Sequence, residues 1–498
     1  MTSLAWMIAV PLIGAPLAWQ AENHRPNAGR WVSLAIVAVM GLVLAVLMSQ
    51  FFSADGLWLL EWEAPWIPRL GISAHLALDG LSLLMVVLTL VLGLVAILAS
   101  WDDVTDKVGF YHANLLLTLA GILGVFMALD LFLFFFFWEV MLVPMYFIIS
   151  IWGHENRNYS AIKFFIFTQA SGLLMLAAIL GLVWSYYQTS GVITFSYMDH
   201  MNAPLSPDNA FWLMLGFFLA FAVKLPIVPF HTWLPDAHTD APTGGSVLLA
   251  GVLLKTGGYG LLRFVLPLFP EAAVGFAPVA MMIGALGVLY GAIQAFAQDD
   301  FKRLVAYSSV SHMGFVLIGV FAFNAYAFQG AVIQMIAHGI STGALFMVAG
   351  MIQERLHTRD MHRMGGLWQR MPQLGAMALF FAVASLGMPG LGNFVGEILV
   401  LLGAFQSDIT VTVAAAIGLV GASVYSLVLI QRSFQGARFA GAQSLRDLNG
   451  REGVAMGLLA VLILALGVYP QPVMSIAEPG LDHLLTLLNG AVADGGMP

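Results

Sequence analysis

Apolar runs of about 20 residues recur from one end of this chain to the other, and each is long enough to cross a bilayer as a helix. Of the 498 residues, 60% are hydrophobic and only 9% are charged, whereas an average soluble domain has about 25% charged residues. Too few polar residues remain to cover the surface of a soluble protein. The pattern predicts an all-α polytopic membrane protein and excludes a soluble enzyme domain, a disordered chain and a nucleic-acid binder.

Fourteen such runs can be placed, beginning with 4–19 and ending with 454–474. With the N-terminus outside and the runs alternating in direction, the inside loops hold 15 of the 19 Lys and Arg residues, and the outside segments hold only Arg69 and Arg263. The positive-inside rule therefore predicts 14 transmembrane helices with both termini on the outer, periplasmic side. The first run has neither the basic start of a signal peptide nor the character of a transit peptide, which favours a bacterial inner (plasma) membrane.

Two segments of matching length predict an internal repeat. Helices four to eight occupy 110–267, and helices nine to thirteen occupy 273–434. Because five is an odd number, the second unit enters the membrane from the opposite side, so two inverted five-helix repeats are expected. Residues 1–109 form helices one to three, and residues 435–498 form helix 14 and a short C-terminal tail.

The fourth helix of each repeat, helix 7 and helix 12, contains helix-breaking residues. Pro226 and Pro229 lie in helix 7, and Gly387, Pro389 and Gly390 lie in helix 12. Proline removes a backbone donor and clashes with the preceding turn. Broken membrane helices usually line a polar, hydrated cavity, so the matching breaks favour a cavity over two tolerated kinks.

Four ionisable residues fall well inside the predicted spans: Glu139, Lys224, Lys255 and Glu397. Each costs about 2.5–3.5 kcal/mol at a bilayer centre, or about 10 kcal/mol together. One explanation is a set of buried ion pairs that fix helix packing, with Glu139 and Lys224 as the natural pair, although such pairs stabilise weakly. The other is a proton relay, because burial and pairing shift the proton affinities of Glu and Lys in opposite directions.

Four histidines lie near these charges and extend the predicted proton path: His231, His238, His312 and His338. Histidine titrates near neutral pH, which suits proton transfer. His231 and His238 with Asp236 lack the spacing of a known metal motif, so no metal site is predicted. The chain has no cysteine and hence no Cys-held iron–sulfur cluster. It also lacks a nucleotide-binding motif, so no cofactor is expected on this chain.

Acidic residues at the ends of spans are expected to have structural roles. Asp79 and Asp130 precede predicted helices and suit helix N-caps. The cluster 299–303, which includes Lys302, is expected to be a solvated helix start.

Several motifs together resemble the antiporter-like, proton-translocating subunits of respiratory complex I over about residues 1–475. They are FFFFWEVMLVPMYF, FAVKLPIVPFHTWLPDAHTDAPT, FKRLVAYSSVSHMGF and LGMPGLGNFVGE. The resemblance implies that Glu139 pairs with Lys224 of the broken helix, that Lys255 is the central relay lysine, and that Glu397 serves the outer half-channel. Two of the three antiporter-like types, chains L and N, usually carry Lys in place of Glu397, which favours the third type.

The resemblance also implies the partners. They are the other membrane-arm subunits of complex I, including antiporter-like neighbours, together with membrane lipids and protons. NADH, FMN, iron–sulfur clusters and quinone are implied in partner subunits, where quinone reduction drives transport. Three alternatives remain open: a subunit of a multisubunit sodium/proton antiporter, a subunit of a membrane-bound hydrogenase, and a membrane scaffold without transport.

Overall fold

The computed structural model describes residues 4–51, 57–201, 203–436 and 445–494. Three helices precede the first predicted repeat: α1 (Ala5–His24), α2 (Ala28–Phe51) and α3 (Gly80–Ala99). The first predicted repeat contains α4 (Val108–Met127), α5 (Leu131–Val140), α6 (Leu142–Trp152), α7 (Arg157–Ser190), α8 (Tyr197–His200), α9 (Pro207–Lys224), α10 (Trp233–Asp240), α11 (Thr243–Leu248), α12 (Leu254–Gly260) and α13 (Leu266–Leu268). The second contains α14 (Pro270–Phe296), α15 (Phe301–Phe321), α16 (Ala325–Leu356), α17 (Pro372–Ser385), α18 (Gly392–Ser407) and α19 (Ile409–Phe434), and is followed by α20 (Gly450–Val468) and α21 (Gln471–Asp494).

Among the described residues, 11 helices are long and apolar enough to cross a membrane. Two of them are composite: α5 with α6, and Thr243–Leu268, which joins α11, α12 and α13. The other three expected spans are helical but do not meet that test: α1 and the two broken helices. A multi-pass helical membrane protein is therefore confirmed. The count of 14, the inverted relation of the repeats, their boundaries and the side of the termini stay predictions.

Both predicted helix breaks are present. Residues 225–232 separate α9 from α10, and residues 386–391 separate α17 from α18. A third interruption, at Met141 between α5 and α6, was not predicted. It follows from Pro144, which has no N–H to donate to the carbonyl of Val140 one turn back. Two π-helical segments, Leu249–Leu253 and Leu261–Val265, were not predicted either.

The segment between α2 and α3 departs from the all-helical expectation. Strands β1 (Leu60–Ile67) and β2 (Ile72–Leu78) form an antiparallel hairpin in which Leu60 pairs with Leu78. Asp130 ties this hairpin to the bundle by accepting from the Ser73 amide at 3.0 Å. The same carboxylate accepts from the amides of Phe132 and Leu133. Asp130 is therefore the predicted N-cap of α5 and also an anchor for the hairpin.

The bundle has two ends, which we name by their features. The basic end contains the loops at 25–27, 100–107, 153–156, 297–300 and 357–371, and the hairpin end contains β1, β2 and α21. Contacts between the loops hold the basic end together; for example, the Met361 amide donates to the Asp299 carbonyl at 2.8 Å.

The C-terminal segment expected to be a short tail is instead the 24-residue helix α21. It packs on α3 and α16 at the hairpin end, where Gln329 Nε2 donates to the Met474 carbonyl at 3.3 Å. Its buried residues recur at helical spacing: Ala477, Leu481, Leu484 and Leu488. This spacing is the signal of an amphipathic helix.

Asp79 and Arg263 form a buried ion pair near the hairpin end. Asp79 caps α3, as predicted, because Oδ1 accepts from the Ser82 amide at 2.9 Å. Its other oxygen contacts Nη2 of Arg263, and Arg263 Nε donates to Tyr259 Oη at 3.2 Å. Exposure is 1% for Asp79 and 7% for Arg263. Arg263 was predicted to lie in a segment outside the spans, but it is buried within the apolar helical stretch Thr243–Leu268, so that prediction was wrong.

We expect Arg263→Met to destabilise the protein by about 3–5 kcal/mol, because the substitution leaves the Asp79 carboxylate buried without its partner. The thermal unfolding midpoint of the purified protein in detergent measures the loss. A second variant, Arg263→Met with Asp79→Asn, removes the lone charge and keeps an N-capping side chain. It should recover most of the midpoint. If the double variant unfolds at the same temperature as the single one, the buried charge is not the cause.

Candidate functional site

Lys255 lies at the centre of the bundle, on the short helix α12 directly after a π-helical segment. Its side chain is 0% exposed. Nζ donates to the carbonyl of Ala250 and lies 2.7 Å from Nδ1 of His338 on α16. His338 is equally buried, and its Nε2 has no hydrogen-bond partner among the described residues. An intrahelical carbonyl and an imidazole thus take the place of a carboxylate partner for Lys255.

Glu397 and His312 form a second buried pair next to the first. His312 Nδ1 lies 2.8 Å from Glu397 Oε1, and both side chains are 1% exposed. Gln334 Nε2 donates to the same carboxylate oxygen at 3.1 Å. The other ring nitrogen of His312 meets Tyr425 Oη at 3.0 Å and Ser385 Oγ at 3.2 Å. The helix 12 break lies next to this pair. Ser385, which contacts His312, is the last residue of α17 before the break, and Glu397 lies on α18 after it.

The two pairs adjoin one another. The rings of His312 and His338 are 5.5 Å apart, centroid to centroid. We call Lys255, His338, His312 and Glu397 the central cluster. Four of the residues singled out in the sequence thus come together, although they belong to four different helices.

A glycine of the helix 12 break makes room for Glu397. Gly387 has φ +81°, and a Cβ built there would lie 2.5 Å from Oε2 of Glu397. Only glycine fits both constraints. Pro389 follows in the loop, and Gly390 has φ +93° where helix α20 approaches closely through Gly467.

Lys224 lies apart from the central cluster, as the last residue of α9. It is 0% exposed, and Nζ has no hydrogen-bond partner among the described residues. The ammonium instead lies 5.2 Å from the ring centroid of Trp138 and 5.5 Å from that of Phe164. Such contacts stabilise a cation through the ring quadrupole. The break at Pro226 and Pro229 ends α9 directly after this lysine.

Glu139 acts electrostatically on Lys224. The expected ion pair is not formed at contact distance, since no N–O distance within 4.0 Å joins them. Glu139 is partly exposed as a residue, but its Oε1 is buried, and a Cβ on Gly172 would lie 2.4 Å from that oxygen.

The two histidines around helix α10 occupy different surroundings. His238 is 0% exposed and stacks on Phe346, with ring centroids 4.4 Å apart. His231 is 4% exposed and packs edge-on against Tyr290. None of their ring nitrogens has a hydrogen-bond partner among the described residues. Asp236 is engaged elsewhere, with Lys163 at 2.6 Å and Arg303 at 3.0 Å.

A lysine at the basic end is buried although its sequence context predicted a solvated position. Lys302 was expected in a solvated helix start, but its side chain is 0% exposed. Nζ donates to the Ala241 carbonyl at 3.1 Å and lies 3.4 Å from Nε2 of His154. No local pattern predicted this burial, because α15 is buried on nearly every side.

The chain matches, over residues 128–423, the family described as NADH:quinone oxidoreductase/Mrp antiporter, TM. NADH-quinone oxidoreductase subunit M of Pseudomonas aeruginosa is 53% identical, over 98% of this chain and 99% of its own length. Subunit M of Escherichia coli K12 is also 53% identical, over 97% of both chains.

Solved structures of membrane complexes contain chains with the same fold. A chain of respiratory complex I from Thermus thermophilus with bound NADH superimposes with a TM-score of 0.87 at 33% identity, covering 97% of this chain and 99% of that one. A chain of the Mrp complex from Dietzia sp. DQ12-45-1b has a TM-score of 0.86 at 21% identity, covering 99% of both, and shows the shared fold. The resemblance found in the motifs is therefore confirmed, including the third type favoured by Glu397, and the chain belongs to the NADH-quinone oxidoreductase subunit M family.

Proposed function

We propose that this chain is a proton-translocating membrane subunit of NADH:quinone oxidoreductase that moves protons from the cytoplasm to the periplasm. The observation that carries this proposal is the central cluster, a row of four titratable side chains buried within the bundle. Relatives named as subunits of a respiratory oxidoreductase support the assignment.

The central cluster suits proton transfer because each member can both accept and release a proton. Lys255 Nζ and His338 Nδ1 are in hydrogen-bond contact at 2.7 Å, and His312 and Glu397 at 2.8 Å. A neutral imidazole can take a proton at one nitrogen and release one from the other. Lys255 is then the donor to the row, His338 and His312 are the intermediates, and Glu397 releases the proton toward the hairpin end.

Lys224 and Glu139 are proposed as a proton-holding pair that controls the row. When Glu139 is ionised, it favours the charged form of Lys224, and when it is neutral or turned away, burial favours release of the proton. Because Glu139 is partly exposed, a neighbouring subunit of the complex could act on it. His231, which precedes α10, and His238, which lies on α10, are proposed as auxiliary groups of the proton path.

Transport needs a driver outside this chain. Moving one charge against 100 mV costs about 2.3 kcal/mol. We propose that quinone reduction in partner subunits supplies this energy, and that NADH, FMN and iron–sulfur clusters are bound there. The positive-inside rule places the basic end in the cytoplasm, which leaves both termini in the periplasm.

A sodium/proton antiporter subunit is the second candidate, because the Mrp chain shares this fold. Purification of the tagged chain from native membranes in mild detergent separates the two. We expect NADH:quinone reductase activity and iron–sulfur electron paramagnetic resonance signals to co-purify with it. Elution with membrane subunits alone, without redox centres, would favour the antiporter.

We expect Lys224→Ala to reduce proton pumping per NADH oxidised while the complex still assembles, because the proton-holding site is lost. Glu139→Gln should have a similar effect, since the amide cannot ionise. Pumping by reconstituted complex in proteoliposomes, with assembly checked by native gel, measures both. Full pumping by an assembled Lys224→Ala complex would remove Lys224 from the proposed relay.

A further inference from the structure

Lys302 is a buried ammonium without a carboxylate in contact. The carboxylates that act on it electrostatically are those of Asp103, Asp240 and Asp300. Each is engaged elsewhere: Asp103 accepts from the Thr243 amide, Asp240 from the Ser160 hydroxyl, and Asp300 from Arg359. Within the described residues, none comes within 4.0 Å of Lys302. Removing a charge from water without a paired partner is costly, so a purely structural role explains this lysine poorly.

A polar cavity of about 470 Å³ opens at the basic end next to Lys302. Its lining includes His154, Glu155, Gln353, Thr358 and Asp360. Lys302 lies behind His154, whose Nε2 is 3.4 Å from the ammonium. The His154 side chain therefore lies between the cavity and the buried ammonium of Lys302.

His154 is suited to conduct rather than to hold a proton. It lies in the loop 153–156, outside the helices. Burial first, and then the Lys302 ammonium, lower the pKa of His154 to about 4. The ring is therefore neutral at pH 7 and can accept from Lys302 Nζ or exchange protons through its two nitrogens.

His238 lies one turn before Ala241, whose carbonyl accepts from Lys302 Nζ at 3.1 Å, and its ring stacks on Phe346 of α16, the helix that also carries His338. The two ring nitrogens of His238 are buried and without partners among the described residues. The cations that act on it electrostatically are Lys302 and Lys255. This imidazole therefore lies between the helix segment that Lys302 contacts and the helix of His338, and it completes the candidate row from the cavity to the central cluster.

We propose that protons reach Lys255 from the basic end through His154, Lys302 and His238, by a route that does not pass Lys224. This inference rests on the proposed transport function and names its inlet. In each step the Lys302 ammonium gives one proton to a ring nitrogen of His238, and the other ring nitrogen gives one to neutral Lys255. Lys302 then regains a proton through His154 from the cavity, so the net charge of the row changes only at Lys255.

The arrangement around Lys224 supports a separate inlet. Its ammonium is surrounded by Trp138 and Phe164, and no hydrogen bond among the described residues connects it to Lys255. Lys224 is then a control site beside the row, whereas Lys302 supplies the protons.

Substitution of Lys302 in the whole reconstituted complex tests the inlet. We expect Lys302→Met to lower the protons pumped per NADH oxidised as much as Lys255→Ala does. Lys302→Arg keeps a buried cation, but arginine does not release its proton in proteins. It should assemble normally and lose the same pumping, which a merely structural charge would not. The matched control is Arg303→Met, at the neighbouring partly exposed position, which should pump normally.

Blocking the cavity provides a second measurement that does not depend on removing the lysine. Because the chain has no cysteine, Thr358→Cys introduces its single thiol at the cavity wall. A bulky membrane-impermeant methanethiosulfonate, added from the basic-end side, should reduce pumping by the Thr358→Cys complex. It should not reduce pumping by the unsubstituted complex, or by a Thr189→Cys complex, whose thiol is exposed near the C-terminal end of α7, far from the cavity.

The outcomes separate the inlet from the transport function. If Lys255→Ala lowers pumping but Lys302→Met and Lys302→Arg do not, the inlet is wrong and the relay stands. Pumping restored by Lys302→Arg would reduce Lys302 to a structural charge. Normal pumping by Lys255→Ala would overturn the relay and the inlet together.

Discussion

An NADH:quinone oxidoreductase complex that carries Lys255→Ala in this chain is expected to lose all of the proton pumping that this subunit contributes. Lys255 joins the row to His338 through a 2.7 Å contact, and alanine leaves no group there that can carry a proton. Loss of a positioned proton carrier slows transfer by about 10²–10⁴-fold, so transfer through this subunit would fall far behind turnover. Protons pumped per NADH oxidised, measured in proteoliposomes, report the loss.

Charge and titration at this position can be separated. Lys255→Arg keeps the cation near His338 but cannot release a proton, so it should fail as completely as alanine. The matched control is Lys107→Asn, which removes an exposed lysine at the basic end and suits the positive φ of that position. If the arginine variant pumps normally, Lys255 acts as a fixed charge and not as a proton carrier.

The second large effect is expected for Glu397→Gln. Glutamine preserves the size of the side chain and can still accept from Gln334, but it cannot take a proton from His312. The relay then ends one residue short of the hairpin end, and pumping by this subunit should fall by a similar factor. The reconstituted complex is assayed in the same way, with thermal unfolding measured alongside to confirm an intact bundle.

Glu271→Gln is the control for this substitution, because Glu271 is an exposed carboxylate in the first turn of α14. It should leave pumping unchanged. Normal pumping by a stable Glu397→Gln complex would show that protons leave the bundle without using this carboxylate.

The sequence was sufficient to identify the central cluster but not its contacts. Ionisable residues inside apolar runs are costly, which made Lys255 and Glu397 conspicuous, and the prolines and glycines located both breaks. The spacing along the chain does not show that His312 and Glu397 meet, because 85 residues separate them. The predicted partnership of Glu139 with Lys224 is electrostatic and not a contact pair, a distinction that depends on side-chain placement.

Two misplaced cations show where sequence reasoning ends. Lys302 sits in a run of charged residues, which usually indicates a solvated helix start, yet its contacts come from Ala241 and His154, 61 and 148 residues away. Arg263 was assigned to an outside segment. Its burial could not be foreseen, because its partner Asp79 lies 184 residues earlier in the chain. Helix α21 could have been predicted from the sequence, because its apolar residues follow helical spacing.

Lys255 and Glu397 are proposed to act in one connected relay, and a double-mutant cycle tests this connection most directly. Protons pumped per NADH oxidised are measured for wild type, for Lys255→Ala, for Glu397→Gln and for the double variant, all assembled in proteoliposomes. Residues that act in series lose no more together than either loses alone, whereas independent sites give additive losses. We predict that the double variant pumps as much as each single variant. Additive losses, or no loss in any variant, would contradict a single relay through the central cluster.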